Sequence, residues 1–145
     1  MHVEFKPSWV KLAPVDGVGG IPALKLEFKL TTLTLDPAEL EEISESVWRD
    51  YARDEFMSLP IVISGRGPFW LSMAVAFQFS AAPAVLVEQP GTGALCVKSR
   101  QTKRTPLLPA IGRIYAIELA EGVHAAINSL ISIYERDERV KEVKE

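Results

Sequence analysis

A chain of 145 residues is enough for one domain, with a core that needs neither a metal nor a disulfide. Its composition, 48% hydrophobic and 24% charged, excludes a disordered chain and a membrane bundle. The net charge of −3 argues against a generic polyanion binder, and the single cysteine, Cys96, excludes an internal disulfide and suits a reducing cytoplasm.

The chain opens with β structure. His2 to Leu12 reads as a strand interrupted by Pro7, and Ala23 to Leu35 as a half-buried strand with Leu24, Leu26, Phe28 and Leu30 in alternation. The glycine-rich stretch Asp16 to Gly20 between them makes a hairpin turn; it is no phosphate loop, because neither a helix nor GK[ST] follows. Asp36, Pro37 and Glu39 then supply the capping chemistry of a helix start. Leu40, Ile43, Val47, Trp48 and Tyr51 share one helical face, and the acids around them form a solvated face.

Leu59 to Ile63 is a short continuous apolar run, as a strand covered on both sides requires. Ser64-Gly65-Arg66-Gly67-Pro68 breaks it, Phe69 to Ser80 follows as a helix apolar on nearly every side, and Ala84 to Val87 is a second buried strand. Strand, helix and strand in that order predict a βαβ unit with a right-handed crossover. Ala94 to Lys98 and Ile111 to Leu119 read as further strands, flanking a basic loop. A long helix with a stripe from Val123 to Tyr134 follows, then a charged tail over residues 135–145. The fold class is therefore α/β, and residues 1–145 form a single compact domain.

A membrane is not an expected partner. The longest near-apolar run, Pro68 to Val87, is cut at Pro83, and no basic head with an apolar stretch opens the chain. A cytoplasmic protein is expected. The two histidines, His2 and His124, lie at opposite ends of the chain, and Glu88 is a lone carboxylate near the central loop, so neither a metal nor another cofactor is expected. The nearly all-apolar helix and the C-terminal stripe predict a homodimer or higher homo-oligomer.

Two features carry candidate chemistry. Lys98, Arg100, Lys103 and Arg104 form a basic cluster without an acid, which is either a solvated loop or a place for one local anionic ligand. Ser64 to Pro68 join a buried strand to a helix N-terminus, where free N–H groups and the helix dipole favour an anion. Gly65 and Gly67 allow close backbone approach there, and Arg66 offers a planar fork for phosphate. On these residues alone, a tight structural turn explains the loop equally well.

The stretch Ile61 to Ser99 resembles the core of the third family of CRISPR-associated ring nucleases. The resemblance rests on VISGRGP at Val62 to Pro68, Trp70-Leu71, Pro83 before a strand, and the turn with Pro90 and Gly93-Ala94. It implies a small accessory of type III CRISPR immunity with a fold distantly like the CRISPR-associated Rossmann domains. Family members bind cyclic tetra-adenylate, the ring-shaped second messenger of that system, between dimers that stack head to tail. They cleave the ring, and a manganese-dependent trimming of RNA ends has also been attributed to them. Where they carry histidine, aspartate and histidine this chain has Ala81, Gln89 and Arg100, and Ser72 stands where a further histidine is familiar. An alanine, an amide and a guanidinium supply neither an acid–base pair nor a manganese site at neutral pH.

The resemblance thus points to a cyclic-oligoadenylate binder that uses Ser64, Gly65, Arg66, Gly67, Pro68, Ser72, Lys98 and Arg100, with no catalytic residue assigned. Slow metal-free cleavage stays open, through in-line attack by a 2′-hydroxyl with cations stabilising the charge. The alternatives are an RNA-binding or RNA-processing accessory and an assembly module without a ligand.

Overall fold

The computed structural model describes residues 1–14, 20–52, 58–101 and 108–119. The expected C-terminal helix, the charged tail, the hairpin turn at residues 15–19, and Lys103 and Arg104 of the basic loop lie outside them.

Among the described residues six strands form one sheet that closes on itself. Strands β1 (Val3–Pro14) and β2 (Ile21–Leu30) pair antiparallel along nearly their whole length, from Val3 opposite Leu30 to Leu12 opposite Ile21. The next connection is a crossover, through a 3-10 turn at Pro37–Glu39 and helix α1 (Leu40–Asp50), to β3 (Ile61–Arg66), which lies parallel to β2. A second crossover, helix α2 (Phe69–Gln78), leads to β4 (Ala84–Gln89), parallel to β3. Strands β5 (Gly93–Ser99) and β6 (Ile114–Leu119) continue antiparallel, and β6 returns to pair with β1 between Val10 and Pro14.

The α/β class and the βαβ order are as the sequence indicates. The closure is not: a Rossmann-like sheet is open, whereas pairing with β6 gives β1 and β5 a common neighbour and closes the sheet into a barrel. Pro7 does not interrupt β1. It sits opposite Leu26 in the part of the strand flanked by β2 alone, since β6 joins only from Val10, and an unflanked edge needs no donor. β2 ends at Leu30 rather than Leu35, and Thr31 to Thr34 bend away from it. Strand β3 runs through Ser64 and Gly65 to Arg66, so the expected break comes three residues later, at Gly67-Pro68.

Closure separates two cores on opposite faces of the same strands. Outside the barrel, Leu24, Leu26 and Phe28 of β2 and Ile61 and Ile63 of β3 pack against Ile43 and Val47 of α1 and Leu71 and Val75 of α2, together with Phe79. Inside it, the intervening positions Ala23, Val62, Ala84 and Leu86 meet Val10, Leu12, Ala94, Cys96 and Tyr115. The continuous apolar run of β3 thus has both its faces covered. The 3-10 turn that leads into α1 starts where capping chemistry places it: the Asp36 carboxylate accepts from the Ala38 N–H at 2.9 Å. Glu39 accepts from the His2 backbone N–H and lies 2.9 Å from His2 Nδ1, tying the start of β1 to this turn. Trp48 lies off the buried stripe of α1 and is 49% exposed.

Candidate functional site

The inner face of the parallel strands changes character along its length. At its base it carries Ala23, Val62, Ala84 and Leu86, all buried. Toward the strand ends the register sets Lys25 beside Val62, Glu27 beside Ser64 and Lys29 beside Arg66. Glu88 lies next to Ser64, one step past the paired Ile63 and Val87. Side chains at paired positions share a face, so the apolar barrel interior opens into a polar mouth at the C-terminal ends of β2, β3 and β4. These ends border a cleft of about 320 Å³ in which Ser64 and Glu88 are half-buried and Glu27, Lys29 and Arg66 are exposed.

An ion pair braces the mouth. Lys25 Nζ lies 3.0 Å from Glu88 Oε2, with both side chains largely covered. That oxygen is shut off from solvent and out of alignment for a hydrogen bond, so the lysine compensates its charge without donating to it. Burial pushes the Glu88 carboxyl up, but the polar Ser64 hydroxyl and the Lys25 charge beside it outweigh burial and hold the group below its ordinary value. Glu88 is therefore ionised at neutral pH.

Gly65 shapes the wall of the cleft. Its φ is +146°, and a Cβ there would lie 2.5 Å from the Phe28 carbonyl oxygen and 2.7 Å from the Phe28 ring. Only glycine lets β3 lie this close to β2. Gly67 is close-packed too, with the Phe28 ring 3.3 Å from where a Cβ would stand.

The expected site residues divide among three places. Ser64, Gly65 and Arg66 line the cleft. Pro68 opens α2 without a side-chain cap and borders a different groove, on the helix side of the sheet, with Leu30, Leu33 and Trp70. The first turn of α2 and the Arg66 side chain thus belong to different hollows, with Gly67 between them. Ser72 is half-buried within α2. Lys98 and Arg100 lie at the far end of the barrel, where β4 begins: Lys98 is opposite Val85, its ammonium donates to the Ser80 carbonyl, and an Arg100 N–H donates to the Ala81 carbonyl at 2.7 Å. Cations there complement the C-terminus of α2.

Lys25, Glu27, Lys29 and the bracing role of Glu88 escaped sequence reasoning. Their signal is the charged alternate of the Leu24, Leu26, Phe28 pattern, which reads as a solvent face until the barrel closes around it. Among the described residues no three His, Cys, Asp or Glu side chains gather as a metal site. Cys96 is buried in the interior core and burial pushes its thiol up, so it is no nucleophile. No helix among the described residues is long and apolar enough to cross a membrane.

A family model described as CRISPR-associated protein (Cas_csx3) matches residues 30–106. The match spans just over half of the chain and takes in α1, α2, β3, β4 and β5, with Ser64, Arg66 and Glu88 among them. No curated protein matches the chain. The chain belongs to the Cas_csx3 family of CRISPR-associated proteins.

Proposed function

We propose that this chain binds a cyclic oligoadenylate, cyclic tetra-adenylate above all, as a cytoplasmic accessory of type III CRISPR immunity, and that it holds the ring at the barrel mouth. One observation carries this reading: Lys29 and Arg66 are direct neighbours at the ends of two parallel strands. Like charges so placed repel one another, and an anion between them relieves the repulsion. A cleft of about 320 Å³ lies at the small end of the range for ligand pockets. It suits one nucleotide unit, with the remainder of a ring resting on its rim.

Binding is the principal activity in this reading. Ala81, Gln89 and Arg100 cannot move a proton in the way the histidines and aspartate of ring nucleases do. Slow cleavage would need only the ring's own 2′-hydroxyl in line with its phosphate and a cation beside it, without metal. A second copy of the chain covers α2. Phe69, Met73 and Phe77 form one stripe along the helix, 77%, 66% and 77% exposed, beside the half-exposed Val97. Exposed apolar surface of this kind marks a contact.

Titration with cyclic adenylates of three, four and six units and with linear tetra-adenylate, analysing products on the same samples, tests the reading. A ring bound far more tightly than the linear chain supports it. Metal-stimulated decay of linear RNA without ring binding would replace it with an RNA-processing role. Light scattering should show a dimer or larger, and Phe77→Glu should shift it toward monomer; a parent that is monomeric at micromolar concentration would remove the oligomer.

A further inference from the structure

The strand register fixes what surrounds the cation pair at the rim. Lys29 and Arg66 are neighbours on one face, and a single phosphate between them reaches both. One step deeper on that face stand Glu27, below Lys29, and Ser64, below Arg66. On β1, Glu4 is opposite Lys29, and Pro90 lines the cleft on the side of β4. None of these four neighbours is a cation. Glu4 and Glu27 are exposed carboxylates, and neither forms an ion pair among the described residues. The further lysines that β1 and β2 set on this face are Lys6, opposite Glu27, and Lys25, paired with Glu88.

In an adenylate ring a ribose separates each phosphodiester from the next, so the other phosphates need not meet this face at all. Phosphates joined through a shared oxygen cannot draw apart in that way. With the first between Lys29 and Arg66, the next finds no third cation beside it, and Glu4 and Glu27 repel it. We infer that Glu27, seconded by Glu4, makes the mouth selective for an isolated phosphodiester over phosphates joined to one another, so that it admits an adenylate ring and rejects ATP. This rests on the ring-binding reading of the same cleft and adds the class of anion that is turned away. Total charge does not separate the two ligands, since ring and ATP carry similar amounts; the spacing of that charge does. Discrimination of this kind needs a repulsive element beside the attractive one, and the two carboxylates supply it.

The test is to titrate the full chain with cyclic tetra-adenylate and with ATP, in magnesium-free buffer, for the parent, Glu27→Gln, Glu27→Lys and Glu4→Gln. The parent should prefer the ring by about ten-fold or more. Glu27→Gln should strengthen both ligands, ATP by about three-fold more than the ring, and Glu27→Lys should widen that difference to about ten-fold. Glu4→Gln should shift the preference the same way by a smaller factor. Both side chains are exposed, so the melting temperatures should stay close to that of the parent. ATP bound by the parent as tightly as the ring, or a preference for the ring that Glu27→Lys leaves unchanged, would overturn the inference and leave the ring-binding reading intact. A parent that binds no ring overturns both.

Discussion

At one end of the barrel Lys29 and Arg66 stand side by side on exposed strand ends, at the cleft they share with Ser64 and Glu88. At the other, Lys98 and Arg100 donate to the carbonyls of Ser80 and Ala81, just past the end of α2. All four residues are cations near the terminus of a strand, and sequence alone gives no reason to separate them. The difference lies in what each cation already has. A cation bonded to the carbonyls that follow a helix has found acceptors, whereas Lys29 and Arg66 form no ion pair among the described residues. A basic cluster is thus informative about ligands only after its internal acceptors are counted.

The largest effect should come from disturbing the mouth at Gly65. Gly65→Ala puts a Cβ into the Phe28 carbonyl at a φ that L-residues avoid, and should cost about 2–4 kcal/mol in denaturant unfolding. A loss below about 0.5 kcal/mol would show that β2 and β3 can part there without consequence. A smaller loss is expected at the opposite end. Arg100→Ala removes a donor from the α2 terminus and should destabilise by about 0.5–1.5 kcal/mol in the same assay. Arg66→Ala should leave the unfolding midpoint almost unchanged, because its side chain is exposed at the rim. If Arg66→Ala is instead the more destabilised of the two, the ends have been assigned the wrong way round.

The smallest effect concerns pH. The Glu88 carboxyl is held below its ordinary value of 4.5 in the folded protein, so its contribution is present above that value and is lost as pH falls through the lower folded value. Between about pH 5 and pH 3 the parent should lose more stability than Glu88→Gln does. Glu39, which its hydrogen bond with His2 also holds low, is present in both proteins and cancels in the difference. Parallel curves over that range would show that Lys25 does not brace Glu88.

Much of the fold was legible because local chemistry and burial agree. The alternation of Leu24, Leu26, Phe28 and Leu30 predicts a strand with one covered face, and that face lies under the helices. Asp36 and Pro37 announce the helix they begin. The closure was not legible, because the pairing of β6 with β1 joins residues about a hundred positions apart and neither strand encodes its partner. The site shows the same division. Ser64-Gly65-Arg66 stood out as a break in an apolar run, although the structure keeps these residues in the strand. Lys25, Glu27 and Lys29 looked like an ordinary solvent face, because period-two alternation does not say whether the polar side meets bulk water or the mouth of a barrel. Lys98 and Arg100 looked like ligand groups because the carbonyls that occupy them come from residues 18 and 19 positions earlier in the chain.

Calorimetric titration of cyclic tetra-adenylate into Arg66→Ala and Arg100→Ala, side by side with the parent, tests most directly whether the ligand is held at the mouth. Removing the exposed guanidinium at Arg66 should weaken the ring by about ten- to a hundred-fold, whereas Arg100→Ala should stay within about three-fold of the parent. The contrary pattern, with Arg66→Ala binding like the parent and Arg100→Ala losing the ring, would place the ligand at the α2 terminus and contradict the assignment of the cleft.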